Sequence, residues 1–165
     1  TNLLELILRE GGNSSHDVVQ RKINEVYKQG EETGQGMLAH VNHPNFGWGI
    51  VAENLIELRG DTFFEVYNGH PAVRNWGDDA HPGTDRMWDI VLAMRLHHGL
   101  EPLFGLAVDD THVYYKHKIG KSNPGRGWVM VKAQALNTEN SIASLEKGHF
   151  YSTTGVILED IKNVS

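Results

Sequence analysis

Cysteine is absent from this chain, which excludes disulfides and thiolate ligands and leaves histidine, aspartate and glutamate as the side chains able to hold a metal. A chain without thiols survives in oxidising and reducing compartments alike, so cysteine usage says nothing about location. Basic residues are the minority: 15 Lys and Arg stand against 21 Asp and Glu, for a net charge of −6. No stripe of Lys and Arg is available to displace counterions, so neither nucleic acid nor an anionic membrane is expected as a partner. The one local basic cluster, Lys116 to Lys121, is short. No apolar run approaches the roughly 20 residues that span a bilayer, no secretory leader pattern is present, and no internal repeat or low-complexity tract is found. A soluble protein is expected, cytoplasmic by default, with an upstream segment allowed for because the sequence begins at Thr1.

What is present is an ordinary globular composition, 39% apolar over 165 residues, enough for a single domain spanning 1–165. Strand-like and helix-like patterns alternate, which points to an α/β fold with mostly parallel strands. Ser14, Ser15 or Asp17 caps a helix that carries Val19, Ile23, Val26 and Tyr27 on one stripe to about Gln29, with Gly30 as its stop. Met37 to His43 reads as a strand broken by Pro44, Ala52 to Leu58 as one or two helical turns, and Phe63 to Asn68 as a strand ended by Gly69. Thr84 caps a helix from Asp85 to His98 whose apolar residues cover most of its circumference, which predicts deep burial, and Gly99 closes it beyond His97 and His98. After the Leu103 strand, Gly127 to Ala133 reads as a strand, Thr138 to Lys147 as a helix and Val156 to Ile161 as a final strand.

The apolar run from Leu103 to Val108 ends in Asp110-Thr111-His112, and residues i and i+2 of a strand share a face, so a carboxylate and an imidazole can aim at one point. Such a pair suits Zn²⁺, Mn²⁺ or Fe. With nine Asp and ten His, about one accidental Asp-x-His is expected, and Asp79-Ala80-His81 is a second instance, but it lies in a Gly- and Pro-flanked loop with no strand before it. Three strand ends therefore carry candidate donors: His40 with His43, Glu65 with Asn68 and His70, and Asp110 with His112. In a parallel sheet these ends share one edge, where α/β enzymes do their chemistry. His40 and His43 alternate out of phase, so only one of them can share the inward face of the strand.

Asn42-His43-Pro44, Glu65-Val66-Tyr67-Asn68-Gly69, Ala107-Val108-Asp109-Asp110-Thr111-His112 and Gly148-His149-Phe150-Tyr151-Ser152-Thr153-Thr154-Gly155 resemble, in order and spacing, the later motifs of the polymerase and histidinol phosphatase (PHP) superfamily. The resemblance runs from about Met37 to Gly155. It implies the C-terminal part of a distorted (βα)7 barrel, with the N-terminal strands missing, and a metal-dependent phosphoesterase that uses metal-activated water. Residue by residue, it implies His43, Asp110 and His112 as metal ligands, with Mn, Zn or Fe as the cofactor and a small phosphoester as the substrate. Members of that superfamily open with a His-x-His strand, which this sequence does not contain, so a missing N-terminal half of the same protein is expected as a partner.

Asp110 is also a candidate general acid or base. Arg126, in a Gly-flanked loop, is the candidate cation for a phosphoryl group, with a bridge from the loop to a surface acid as the plainer role. Asn68 and His70 are candidate substrate contacts, against a role in stabilising the turn. Phe46, Trp48 and Trp76 suggest a second reading, a non-catalytic carbohydrate-binding module on the same scaffold, although packing over the strand end explains the first two as well. An amidohydrolase-like enzyme is a third, since that class shares the same donor types.

Overall fold

The computed structural model describes residues 6–7, 11–60 and 62–159. Ser14 accepts a hydrogen bond from the Asp17 amide and starts α1, Ser15–Thr33, whose Ile23 is buried with Val19, Val26 and Tyr27 packed around it. The helix passes through Gly30 instead of stopping there. Gly30 is buried, and a Cβ on it would lie 3.0 Å from the Gln35 carbonyl oxygen, so this glycine serves the close return of the chain. The stop is Gly34, at φ 66°, a left-handed cap one turn later.

Next come β1, Ala39–Val41; α2, Ala52–Ile56; β2, Thr62–Asn68; α3, Thr84–His97; and β3, Phe104–Val108. The three strands form one parallel sheet in the order β1-β2-β3, and successive strand-helix units place α2 and α3 on its face with α1. Leu55, Leu58, Phe64, Met87, Val91 and Leu103 make the centre of the core between sheet and helices. On the opposite face Phe63, Phe104 and Phe150 pack ring to ring, with centroids 5.6 to 6.2 Å apart.

The α3 helix buries one stripe, Thr84, Met87, Val91 and Arg95, and leaves Met94 and Leu96 exposed, so the deep burial expected all round is confined to the face on the sheet. Thr84 is its first residue and not its cap; the Thr84 hydroxyl donates inward to the Val66 carbonyl at 2.6 Å. Arg95 occupies the last place in the stripe. Its guanidinium donates to the carbonyls of Ile56 and Leu58 at 3.0 and 2.8 Å, satisfying acceptors at and just beyond the end of the short α2, and to that of Glu101 at 2.7 Å in the connection to β3.

The remaining elements depart from the parallel pattern. The chain continues as β4, Trp128–Val131; α4, Thr138–Glu146; and β5, Phe150–Thr153, and β4 pairs antiparallel with β5. The expected strand at Val156 to Ile161 is not formed: 156–159 is irregular, and its last two residues lie outside the described residues. Phe150–Thr153 takes that place, with the Phe150 ring packed against Phe63 and Phe104. Besides the Phe150 ring, the Ser152 hydroxyl links the two sheets, donating to the Gly105 carbonyl at 2.7 Å and accepting from the Ala107 amide at 3.1 Å. The fold is thus α/β with a three-stranded parallel sheet, and no closed barrel is formed among the described residues. No helix among them is long and apolar enough to cross a membrane.

Candidate functional site at the strand ends

Residues three apart in a regular strand point to opposite faces, so Glu65 and Asn68 ought to diverge. A register shift in the β2-β3 ladder between Glu65 and Tyr67 cancels that alternation. The Val66 carbonyl beside the shift is taken by Thr84. As a result the Asn68 amide donates to Glu65 Oε2 at 2.8 Å, and the same nitrogen donates to Asp110 Oδ2 at 3.2 Å. One amide group therefore clamps two carboxylates from neighbouring strands.

Glu65 is only 4% exposed and reaches the third strand end as well. Its Oε2 accepts the His43 backbone N–H at 2.7 Å, and His40 Nδ1 stands 3.7 Å from Oε1. Since β1 ends at Val41, the alternation argument does not extend to His43, and both histidines approach this carboxylate, His40 by its ring and His43 by its backbone. Asn68 is itself fixed: its Oδ1 accepts the His70 amide at 2.8 Å, and its backbone exchanges hydrogen bonds of 2.9 and 2.8 Å with the Asn75 side chain.

The turns at these exits are strained. Among the described residues the non-glycine positions at positive φ are His43, Trp48 and Asp110, at 23°, 56° and 47°. Each costs about 1 kcal/mol or more and persists only where its surroundings impose it, a pattern that clusters at functional sites. Here the imposing contacts are the His43 amide on Glu65 and the Asp110 carboxylate on Asn68.

The histidines differ in what they offer. His112 Nδ1 lies 2.7 Å from the Asp110 carbonyl, which can only accept, so Nδ1 carries a proton and in the neutral ring Nε2 is the acceptor. His70 Nδ1 accepts from the Ala72 amide at 3.2 Å, so in the neutral ring Nε2 is the donor. The two rings meet edge to face with centroids 5.2 Å apart. The His43 ring stands edge-on to Phe46 at the same separation.

Arg126 is close to this edge but already engaged. A Cβ on Gly69 would come within 2.6 Å of Arg126 Cβ, while the guanidinium donates through Nη2 to the Lys118 carbonyl at 3.1 Å. It ties its loop to main chain and not to a surface acid. Arg126 Nε and the Thr111 hydroxyl, which lies between Asp110 and His112, are buried without a hydrogen-bond partner.

The donor chemistry of His43, Asp110 and His112 fits a divalent ion, and two orphaned polar atoms lie at the same edge. Their spacing is looser. Among the described residues no three His, Asp or Glu are grouped closely enough to share one ion. The structure brings Asn68 onto Asp110 and His70 onto His112, and links His43 to them through Glu65.

Asn75 enters the site although no motif singled it out, and Glu65, a candidate donor at its strand end, becomes the carboxylate that links the three ends. Polar residues with almost no exposure are their structural mark, and the sequence signal was faint: a Glu in a run of Phe, Val and Tyr. The second Asp-x-His is local, as its loop context suggested. His81 Nδ1 bonds Asp78 Oδ1 at 2.8 Å, which together with the Ala80 amide holds the Asp78 carboxyl below the usual carboxylate range. The His81 ring stacks on Trp48 at 4.1 Å, and Arg74 lies 5.1 Å from the Trp48 centroid, so Trp48 is committed to its own loops. A cavity of 820 Å³ lies along β4 and β5, lined by Met130, Lys132, His149, Tyr151 and Leu158, and none of the strand-end donors lines it. Compared with known proteins, the chain has no significant match among family models, curated proteins or solved structures.

Proposed function

We propose that the strand-end cluster is part of a divalent-metal-dependent phosphoesterase centre on a PHP-type barrel, with His43, Asp110 and His112 as ligands. The observation that carries this reading is the Asn68 amide shared between Glu65 and Asp110. Two carboxylates share one amide at the exits of three adjacent parallel strands, the His70 and His112 rings meet beside them, and the His43 turn is tied to Glu65 through its backbone. A stable core has no need of that arrangement; a cation site does. Mn, Zn or Fe suits these donors, and a bound ion supplies a water of lowered pKa and a Lewis acid for phosphoryl oxygens.

The chain's own residues have distinct parts. Asn68 fixes the Asp110 carboxylate, Glu65 fixes the His43 turn, and His112 presents Nε2. His70 Nε2–H is a donor for a substrate oxygen, and Arg126 Nε is a second donor deeper at the same edge. The remaining donors of a PHP-type centre come, on the resemblance, from a His-x-His strand outside this sequence.

Metal content of the purified protein, measured by mass spectrometry after loading with Mn²⁺ or Zn²⁺ and desalting, tests the assignment. His43→Ala, Asp110→Ala and His112→Ala are each expected to lower occupancy, with thermal midpoints close to wild type for the two histidine variants and lowered for Asp110→Ala, which also loses its bond to Asn68. Unchanged occupancy in all three refutes it.

A further inference from the structure

Every one of the 21 acidic residues lies outside 111–138, a stretch that carries Lys116, Lys118, Lys121, Arg126 and Lys132. In a chain of net charge −6 this is a strong segregation, and it begins at the residue after Asp110. The segment from Thr111 to Gly127 joins β3 to β4, and its form explains why the charge is useful there.

The loop is closed at its neck beside a candidate ligand. The His112 and Val113 amides donate to the Ser122 carbonyl at 3.1 and 3.0 Å, so Lys121 stands one residue from the neck. Inside, Asn123 is only 4% exposed, and it spends its whole amide on the loop. Its Oδ1 accepts from the Lys118 amide at 3.0 Å, and its Nδ2 donates to the carbonyls of Val113 and Lys116 at 2.7 and 3.2 Å. Arg126 adds its bond to the Lys118 carbonyl, and the Asp109 carboxylate holds the Gly125 amide at 2.9 Å. Apart from Arg126 Nε and the Thr111 hydroxyl, these inward polar groups are consumed by main chain.

The outward groups are left over. Residues 114–121 are exposed throughout, Tyr115 at 95%, and none of Lys116, Lys118 and Lys121 forms an ion pair among the described residues. Three like charges on a short, internally braced loop repel one another, and a polyanion relieves that repulsion without any rearrangement of the loop. A solvated surface patch needs neither the bracing nor the exclusion of acids.

We propose that this loop is an anion-binding arm: Lys116, Lys118 and Lys121 take a second phosphate of a small polyphosphorylated substrate whose scissile phosphoryl group lies at the strand ends. The substrate class that follows, resting on the phosphoesterase reading above, is a soluble phosphoester with at least one further phosphate. Tyr114, Tyr115 and Ile119 are exposed on the same loop, so capture of a nucleic acid or of a membrane in place of a soluble polyphosphate is the outcome that counts against it.

The test is titration calorimetry of the whole chain with inorganic tripolyphosphate, in EDTA so that metal contributes nothing, at 50 and 200 mM salt. Wild type is expected to bind and to weaken with salt. The Lys116→Gln, Lys118→Gln, Lys121→Gln triple variant is expected to bind at least tenfold more weakly, with a thermal midpoint not below wild type because these side chains form no ion pair among the described residues. A control triple variant, Lys28→Gln, Arg86→Gln, Lys147→Gln, removes the same charge elsewhere and is expected to bind as wild type does. No binding by wild type, equal binding by the loop variant, or an equal loss in the control overturns the proposal, as does capture by phosphatidylserine vesicles or single-stranded oligonucleotide in place of tripolyphosphate. Because the titration is run without metal, unchanged metal occupancy in the ligand variants refutes the phosphoesterase centre and leaves this result standing on its own.

Discussion

Replacing Asn68 by Asp changes one NH₂ for one oxygen in a site that is 1% exposed, and the consequences can be worked out in advance. The acceptor for the His70 amide survives. Both donors are lost: the bond of 2.8 Å to Glu65 and that of 3.2 Å to Asp110. Charge-assisted hydrogen bonds of this kind contribute about 1.5–3 kcal/mol each, and the new carboxylate adds repulsion, so a loss of about 3–5 kcal/mol is expected near neutral pH. With a urea dependence of about 2 kcal/mol per molar, the unfolding midpoint falls by about 1.5–2.5 M.

The pH dependence gives the sharper check. Two neighbouring carboxylates and burial raise the pKa of the introduced acid in the folded state above its unfolded value of about 3.9. An acid raised in this way binds more protons folded than unfolded, so its contribution to stability falls as the pH rises from that unfolded value through the raised one. The protonated form also restores one donor. Urea melts followed by fluorescence of the four tryptophans, in EDTA at pH 4.5 and 7.5, should therefore show a smaller penalty at the lower pH. A variant as stable as wild type at pH 7.5, or a penalty equal at both, would refute the shared-amide argument.

Two further outcomes follow from the same contacts. Arg95→Met strips the Ile56, Leu58 and Glu101 carbonyls of their donor while keeping the apolar stem, and should cost about 3–5 kcal/mol in denaturant melts; a cost below about 1 kcal/mol would mean that water replaces the guanidinium. Asp78 has its pKa lowered from 3.8, chiefly by the His81 side-chain hydrogen bond, so its contribution is fully present above that value and lost as the pH falls below it. The difference in thermal midpoint between wild type and Asp78→Asn should accordingly shrink in acid, and a difference that stays constant down to about pH 3 would contradict the assignment.

The helices and the parallel strands were legible because each rests on a local rule. Ser14 caps α1, the Ile23 stripe gives its buried face, and the run before Asp110 gives β3. What was not legible depends on contacts across the sequence. Gly30 reads as a stop, yet its place is fixed by the Gln35 carbonyl that returns beside it. Phe150–Thr153 is too short and too polar to announce a strand until Phe63 and Phe104 supply its partner surface. The same holds for the site. The three strand ends were visible as donor pairs, but Glu65 joins them only because the register slips by one residue beside Val66, and a slip in pairing leaves no mark in the composition of either strand. His40 and His43, which strict alternation puts on opposite faces, both come near the carboxylate because β1 ends sooner than its apolar pattern.

Ser152 has a mechanical consequence. A ladder of main-chain bonds shares load over many groups, whereas the seam between the parallel sheet and the β4-β5 pair rests on the Ser152 hydroxyl and the Phe150 ring. The β4-β5 pair can therefore detach as its own cooperative unit, at a lower free energy than global unfolding, with its amides exchanging ahead of those in β2 and β3. Because the cationic arm connects the two sheets across that seam, its distance from His112 is set at the neck, and the seam sets how freely its far end swings.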